Sequence, residues 1–136
     1  MHVRPFQESD RGDVVALWNS VFADDPPWNE PNTVIDTKLR TQPELFFVYE
    51  SQEKVVGTLV AGFDGFRGWI HHVAVHPDHQ GHGVSRLLIE AAESGLRELG
   101  CKKVNLQVRK GNEGAADKYR SMGFSDEPRI SMGKLL

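Results

Sequence analysis

The chain holds one cysteine, Cys101, among 136 residues. No internal disulfide can form, and a reducing compartment is the simplest inference. No apolar run approaches the ~20 residues that a membrane-crossing helix needs. The opening residues, MHVRPFQESD, lack the apolar stretch of a secretory signal. A basic excess is also missing, since the formal net charge is -3. That weighs against nucleic acid as the main partner. Internal repeats and low-complexity tracts are absent. Together these absences predict a cytoplasmic protein with neither a membrane nor a nucleic-acid partner.

What is present is ordinary globular composition, 39% hydrophobic and 26% charged, which argues against a disordered chain. The length predicts a single domain over residues 1–136, built on one core.

The hydrophobic pattern then orders the elements. Val3 to Phe6 reads as a short strand, and Ser9 and Asp10 offer helix N-caps. Val14, Leu17, Trp18, Val21 and Phe22 recur at helical spacing. Asp24-Asp25-Pro26-Pro27 ends that helix, and Pro31 opens a second one with Val34, Ile35 and Leu39 on its buried face. Leu45–Glu50 and Lys54–Phe63 read as a strand pair joined through Ser51-Gln52-Glu53. A strand over Trp69–His76 follows the loop 64–68. Val84, Leu87, Leu88, Ala91, Ala92 and Leu96 mark a long helix that Gly100 stops. Val104–Val108 alternates as a strand, Ala115–Met122 reads as a helix, and Gly123-Phe124 begins a last extended hairpin ending near Leu136. The order predicts a mixed sheet covered by helices, an α/β or α+β layered fold.

The informative stretch is Val73-Ala74-Val75-His76-Pro77-Asp78-His79-Gln80-Gly81-His82-Gly83-Val84-Ser85. A strand runs through a glycine-rich turn into a helix. The first N–H groups of a helix have no internal partner and carry the positive end of its dipole, so they attract phosphate. Gly81 and Gly83 let a pyrophosphate approach the backbone, and Gln80 adds an amide donor. The alternative is that both glycines only make a tight turn. A Rossmann fingerprint fits poorly, and no Gly-Lys-Ser/Thr follows to make a Walker A loop. His76, His79 and His82 recur every third residue, which invites a zinc reading. That pattern overlaps the turn and has no cysteine partner, so no metal is predicted.

The string V-A-V-x-P-x-x-Q-G-x-G-V-S-x-x-L-L resembles the acetyl-CoA motif of the GNAT superfamily of N-acetyltransferases. So does the later run from Asn112 to Phe124, whose N-x-x-A-x-x-x-Y-x-x-x-G-F pattern matches at every fixed position. The element order is similar along essentially the whole chain. The segments PWN, near Trp28, and DGFRG, near Asp64, are similar to a small stand-alone bacterial subgroup. The resemblance implies a mostly antiparallel central sheet with helices on both faces. It implies that the strand holding Val73 and Val75 pairs with the pantetheine arm of CoA. It puts Gln80, Gly81, His82, Gly83, Val84 and Ser85 where amides hold the pyrophosphate. Asn112 lies where an asparagine contacts the cofactor arm, and Tyr119 where a tyrosine protonates the departing thiolate. Ser85 departs from the usual Gly or Ala but is small enough to fit.

Acetyl transfer to an amine needs a neutral amine, a polarised carbonyl and a stabilised thiolate. Amides of the Val73–Val75 strand suit the second task, and Tyr119 the third. The base is open. Trp69-Ile70-His71-His72 holds no carboxylate, and His71 alternates with Val73 and Val75, which predicts a shared face. His71 is therefore a candidate base; a packed strand histidine is the alternative, with Asp64 or a water chain doing the job. Trp28, Asn29, Asp64 and Arg67 are candidates for the acceptor end, by cation–π contact and charge. Loop anchoring and turn chemistry are their alternatives. The acceptor is a small-molecule or peptide amine of unspecified identity, and a homodimer is one option for assembly. A competing reading is a CoA-binding sensor or structural module without catalysis.

Overall fold

The computed structural model describes residues 2–136. Five strands form one sheet in the order β1-β2-β3-β4-β5. They are β1 (Val3–Pro5), β2 (Phe46–Ser51), β3 (Lys54–Phe63), β4 (Gly68–Val75) and β5 (Val104–Leu106). The first four are antiparallel, and β5 joins β4 in parallel. Four helices accompany them: α1 (Arg11–Val21), α2 (Pro31–Leu39), α3 (Val84–Glu98) and α4 (Glu113–Ser121). Among the described residues no helix is long and apolar enough to cross a membrane.

The strand period separates two apolar layers. Phe46, Val48 and Val60 meet Val14, Leu17, Trp18 and Ile35 from α1 and α2. Phe47, Leu59 and Ile70 face the other way, against Leu88, Ile89 and Leu96 of α3. Burying each such side chain contributes ~1.5–3 kcal/mol. Pro31 is the first residue of α2, as expected, and the Glu30 carboxylate caps that helix by accepting from the N–H groups of Asn32 (2.8 Å) and Thr33 (3.0 Å). The β2–β3 turn places Gln52 and Glu53 at φ 51° and 63°, the left-handed pair that a two-residue hairpin needs. Asp10 stands at the start of α1, but its carboxylate turns back to Gln7 N–H (2.9 Å) and to Arg4 (2.8 Å) instead of capping forward.

Two expectations are corrected. First, no terminal hairpin forms: residues beyond Gly123 are irregular. Pro128 removes a ladder donor, and side chains alone tie the segment to the β5 region, through Asn105 Nδ2 to Glu127 (2.7 Å) and through Lys103 to Glu127. Second, β4 carries a bulge. Thr58 opposes Ala74 and Val60 opposes His71, so His72 and Val73 together oppose Leu59. His72 takes φ 51° to accommodate the extra residue. The bulge reverses the alternation along β4. His71 therefore lies with Val60 on the α1–α2 face, while Val73 and Val75 pack on the α3 side. His71 does not share their face.

Candidate active site

The glycine turn has the geometry that anion binding requires. Gly81 and Gly83 both sit at φ +81°, with nothing within 4 Å of where a Cβ would stand. Gly83 is the N-cap of α3 and offers no side chain, and the first turn of α3 holds no acidic residue. The amides that open α3 are therefore uncapped and meet no competing carboxylate. Gln80 turns its side-chain amide back to the Val75 carbonyl (3.2 Å). His82 is exposed, Ser85 half-buried and Val84 buried. Val84 pins the helix start: a Cβ on Gly57 of β3 would lie 2.8 Å from Val84 Cγ1. Of the turn's histidines, His76 serves the turn, its Nδ1 accepting from Asp78 N–H (3.1 Å). Among the described residues no group of three or more His, Cys, Asp or Glu side chains is arranged to hold a metal ion.

Beside the turn, the sheet opens. β5 pairs with β4 only at Gly68, Trp69 and Ile70, whereas β4 continues to Val75. The edge of β4 that faces β5 is left unladdered from His71 onward. Tyr119 of α4 packs with the α3-side core, half-buried, and meets Phe124 edge-to-face at 5.9 Å. Burial pushes its phenol above the ordinary value, so it stays protonated at neutral pH. Asn112 is the N-cap of α4, its Oδ1 accepting from Ala115 N–H at 3.4 Å.

On the opposite face, the α1–α2 connection roofs a cleft of about 280 Å³. Trp18, Phe22, Pro26 and Pro27 supply its apolar wall, and Asp25, Glu30 and His72 its titratable groups. The bulge aims His72 here. Its ring packs edge-on to Trp18 (4.8 Å) and tilted on Phe22 (4.7 Å), and Nε2 lies 3.7 Å from Asp25 Oδ2. Asp25 is held by Arg109 Nη2 at 2.6 Å and by Asn29 Nδ2 at 3.4 Å. Burial keeps the His72 imidazole below its ordinary pKa; Asp25 opposes this, while His71 and Arg109 add to it. His71 retains solvent contact, yet the surrounding protein, then the Lys38 ammonium, lower its pKa too.

Of the four residues expected at the acceptor end, Asn29 lines this cleft and Trp28 sits beside it with its side chain exposed. Asp64 and Arg67 do not line it. Asp64 Oδ1 accepts from the N–H groups of Phe66 (2.7 Å) and Arg67 (2.8 Å), closing the β3–β4 turn, and Arg67 stacks on Phe66. His72, Asp25 and Arg109 were not singled out in the sequence. Asp25 reads there as part of a helix stop, and nothing marks the bulge that turns His72 into the cleft.

The family model described as the Acetyltransferase (GNAT) family matches residues 12–124. An acetyltransferase of Yersinia enterocolitica is 38% identical over 136 residues, covering 100% of this chain and 96% of the relative. An acetyltransferase of Pectobacterium atrosepticum is 35% identical with the same coverage. Among solved structures, Ard1 from Thermoplasma volcanium superposes with TM-score 0.80 at 27% identity, covering 90% of this chain and 81% of that one. AAC(6')-Iy, solved in complex with the bisubstrate analog CoA-S-monomethyl-acetylneamine, shares the fold with TM-score 0.82 at 14% identity, over 98% of this chain and 97% of its own. The uncapped helix start, the half-open β4 edge and these matches agree, and the chain belongs to the GNAT family of acetyltransferases.

Proposed function

We propose that the protein transfers the acetyl group of acetyl-CoA to a primary amine, working in the cytoplasm. One observation carries this reading: the uncapped N-terminus of α3 lies next to the strand edge that β5 leaves open. The residues fit the donor. Amides from Gly81 to Ser85 would hold the pyrophosphate, with Gln80 and His82 flanking it. The backbone at Val73 and Val75 would pair with the pantetheine arm and polarise the thioester carbonyl. Asn112 would contact the arm, and Tyr119 would protonate the sulfur. Trp28 and Asn29 stand at the acceptor cleft. Asp64 and Arg67 would reach an acceptor only if it extended to the β3–β4 turn. His71 shares the α1–α2 face with His72 but does not line the acceptor cleft, which argues against it as the base.

The test is thiol release from acetyl-CoA over a panel of primary amines, with mass spectrometry of the product. Acetylation of at least one amine on nitrogen is the expected result. Acetyl-CoA binding without thiol release for any amine would establish the CoA-binding sensor instead.

A further inference from the structure

We propose that the cleft beneath the α1–α2 connection selects primary amines that carry no carboxylate, with Asp25 holding the ammonium and His72 taking its proton. The inference rests on the acetyl-transfer reading and specifies the acceptor for it.

The gap between His72 Nε2 and Asp25 Oδ2 is 3.7 Å. That is too long for a hydrogen bond. It is the span that a third polar atom bridges, since one nitrogen can sit about 2.9 Å from both. Asp25 is fixed for the purpose. Arg109, from beyond β5, clamps its Oδ1, leaving Oδ2 toward the cleft and the weaker Asn29 contact. Its side chain is only 11% exposed, so salt screens it little, while the Arg109 ion pair offsets part of its charge. His72 is fixed as well, by Trp18 and Phe22 at its ring and by Thr58 Oγ1, which donates to its carbonyl at 3.2 Å.

The charges facing this point are few. From the α1–α2 connection come Asp25 and Glu30; His71 is the neighbour on β4; Arg109 approaches from beyond β5, already paired with Asp25. α1 and its C-cap contribute Trp18, Asn19 and Phe22, none of them charged. Among the described residues no lysine or arginine lines the cleft. An ammonium therefore meets a carboxylate and aromatic faces. A carboxylate on the same acceptor meets Asp25 and Glu30, and the one cation facing the point, Arg109, is already engaged by Asp25, which works as rejection.

The proton accounting closes. The bound ammonium gives one proton to neutral His72, and the imidazolium so formed is stabilised by Asp25. The free amine forms the C–N bond, the C–S bond breaks, and the nitrogen sheds its second proton as the adduct collapses. The thiolate gains one proton and leaves as CoA thiol. Net, ammonium and acetyl-CoA give amide, CoA thiol and one proton, which His72 passes to solvent.

The experiment uses matched amines, tyramine against tyrosine and putrescine against ornithine, with thiol release as the readout. The carboxylate-free member of each pair should show kcat/KM higher by about tenfold or more. Parity, or preference for the amino acid, overturns the proposal. His72→Asn tolerates the left-handed backbone of the bulge. It should lower kcat/KM by ~10²-fold and remove the acid limb of its pH profile, while leaving the acetyl-CoA-induced rise in Tm unchanged. A retained acid limb overturns the base assignment. Should His72→Asn not fold, Asp25→Asn gives the same decision through loss of the carboxylate discrimination. A wild-type protein that acetylates amines but ignores the carboxylate refutes this inference alone. One that neither binds acetyl-CoA nor releases thiol refutes acetyl transfer, and this inference with it.

Discussion

The indole N–H of Trp18 donates to Thr58 Oγ1 at 2.8 Å, deep between α1 and the sheet, with both residues almost fully buried. The same hydroxyl donates to the carbonyl of His72. One threonine thus ties the first helix to the bulged strand. Thr58→Val keeps the shape and leaves a buried indole N–H without its partner. It should cost about 1–3 kcal/mol, read as a lowered denaturant midpoint at unchanged m-value. Thr58→Ser keeps both bonds and should cost less. Equal midpoints for Thr58→Val and wild type would mean the bond contributes nothing.

Acetyl-CoA should raise Tm, because a ligand that binds only the folded state stabilises it. Gly83→Asp places a negative side chain at the uncapped start of α3 and forces a non-glycine residue to φ +81°. That variant should lose the shift. Gly57→Ala probes the same site from beneath, since its Cβ would press on Val84. It should weaken acetyl-CoA binding and lower stability by roughly 1–3 kcal/mol. Full ligand shifts in both variants would move the donor site elsewhere.

Tyr119→Phe retains the ring that packs against Phe124. Folding and acetyl-CoA binding should change little. The acetylation rate should fall by ~10²-fold, because phenylalanine has no proton for the leaving sulfur. An unchanged kcat in single-turnover measurements removes Tyr119 from the chemistry and leaves it a packing residue.

Stability should respond to mild acid. Burial lowers the folded-state pKa of His72, and the surrounding protein with the Lys38 ammonium lowers that of solvent-touching His71. Between those depressed values and about 6.5, the unfolded chain binds more protons than the folded one. Stability therefore falls as pH drops through that window and is recovered above it. Urea titrations at pH 7.5 and 5.5 should show the loss, and His72→Asn should reduce it. A stability flat across the window, or rising toward acid, contradicts the lowered values.

Much of this was legible in the sequence. Pro31, the hairpin at Gln52-Glu53 and the helical spacing of Val84, Leu88, Ala92 and Leu96 each act through local geometry, and each forms as the residues dictate. Gly81 and Gly83 marked a tight turn, and the turn forms with both at positive φ. The bulge did not show itself. Trp69–Val75 contains neither glycine nor proline, and only the register against β3 reveals two residues opposite Leu59. Reading strict alternation through it put His71 on the wrong face and left His72 unnoticed. The Asp25–Arg109 pair joins residues 84 positions apart, a distance no periodicity spans. The final segment misled in the opposite way. Ile130-Ser131-Met132 alternates like a strand, yet Ile130 and Met132 stand 89% and 90% exposed, without a second strand to cover them.

The extra residue in β4 also divides the strand into two independent territories. Upstream of it, side chains at odd positions face the α1–α2 side; downstream, they face α3. On the proposed roles, exchanges at 72 would retune the acceptor cleft while 73 and 75 went on serving the donor, so the two specificities would be free to drift separately. Removing His72 would fuse those territories: alternation would run unbroken, with Val73, Ala74 and Val75 kept on their present faces opposite Leu59, Thr58 and Gly57, and only the second histidine of the α1–α2 face lost.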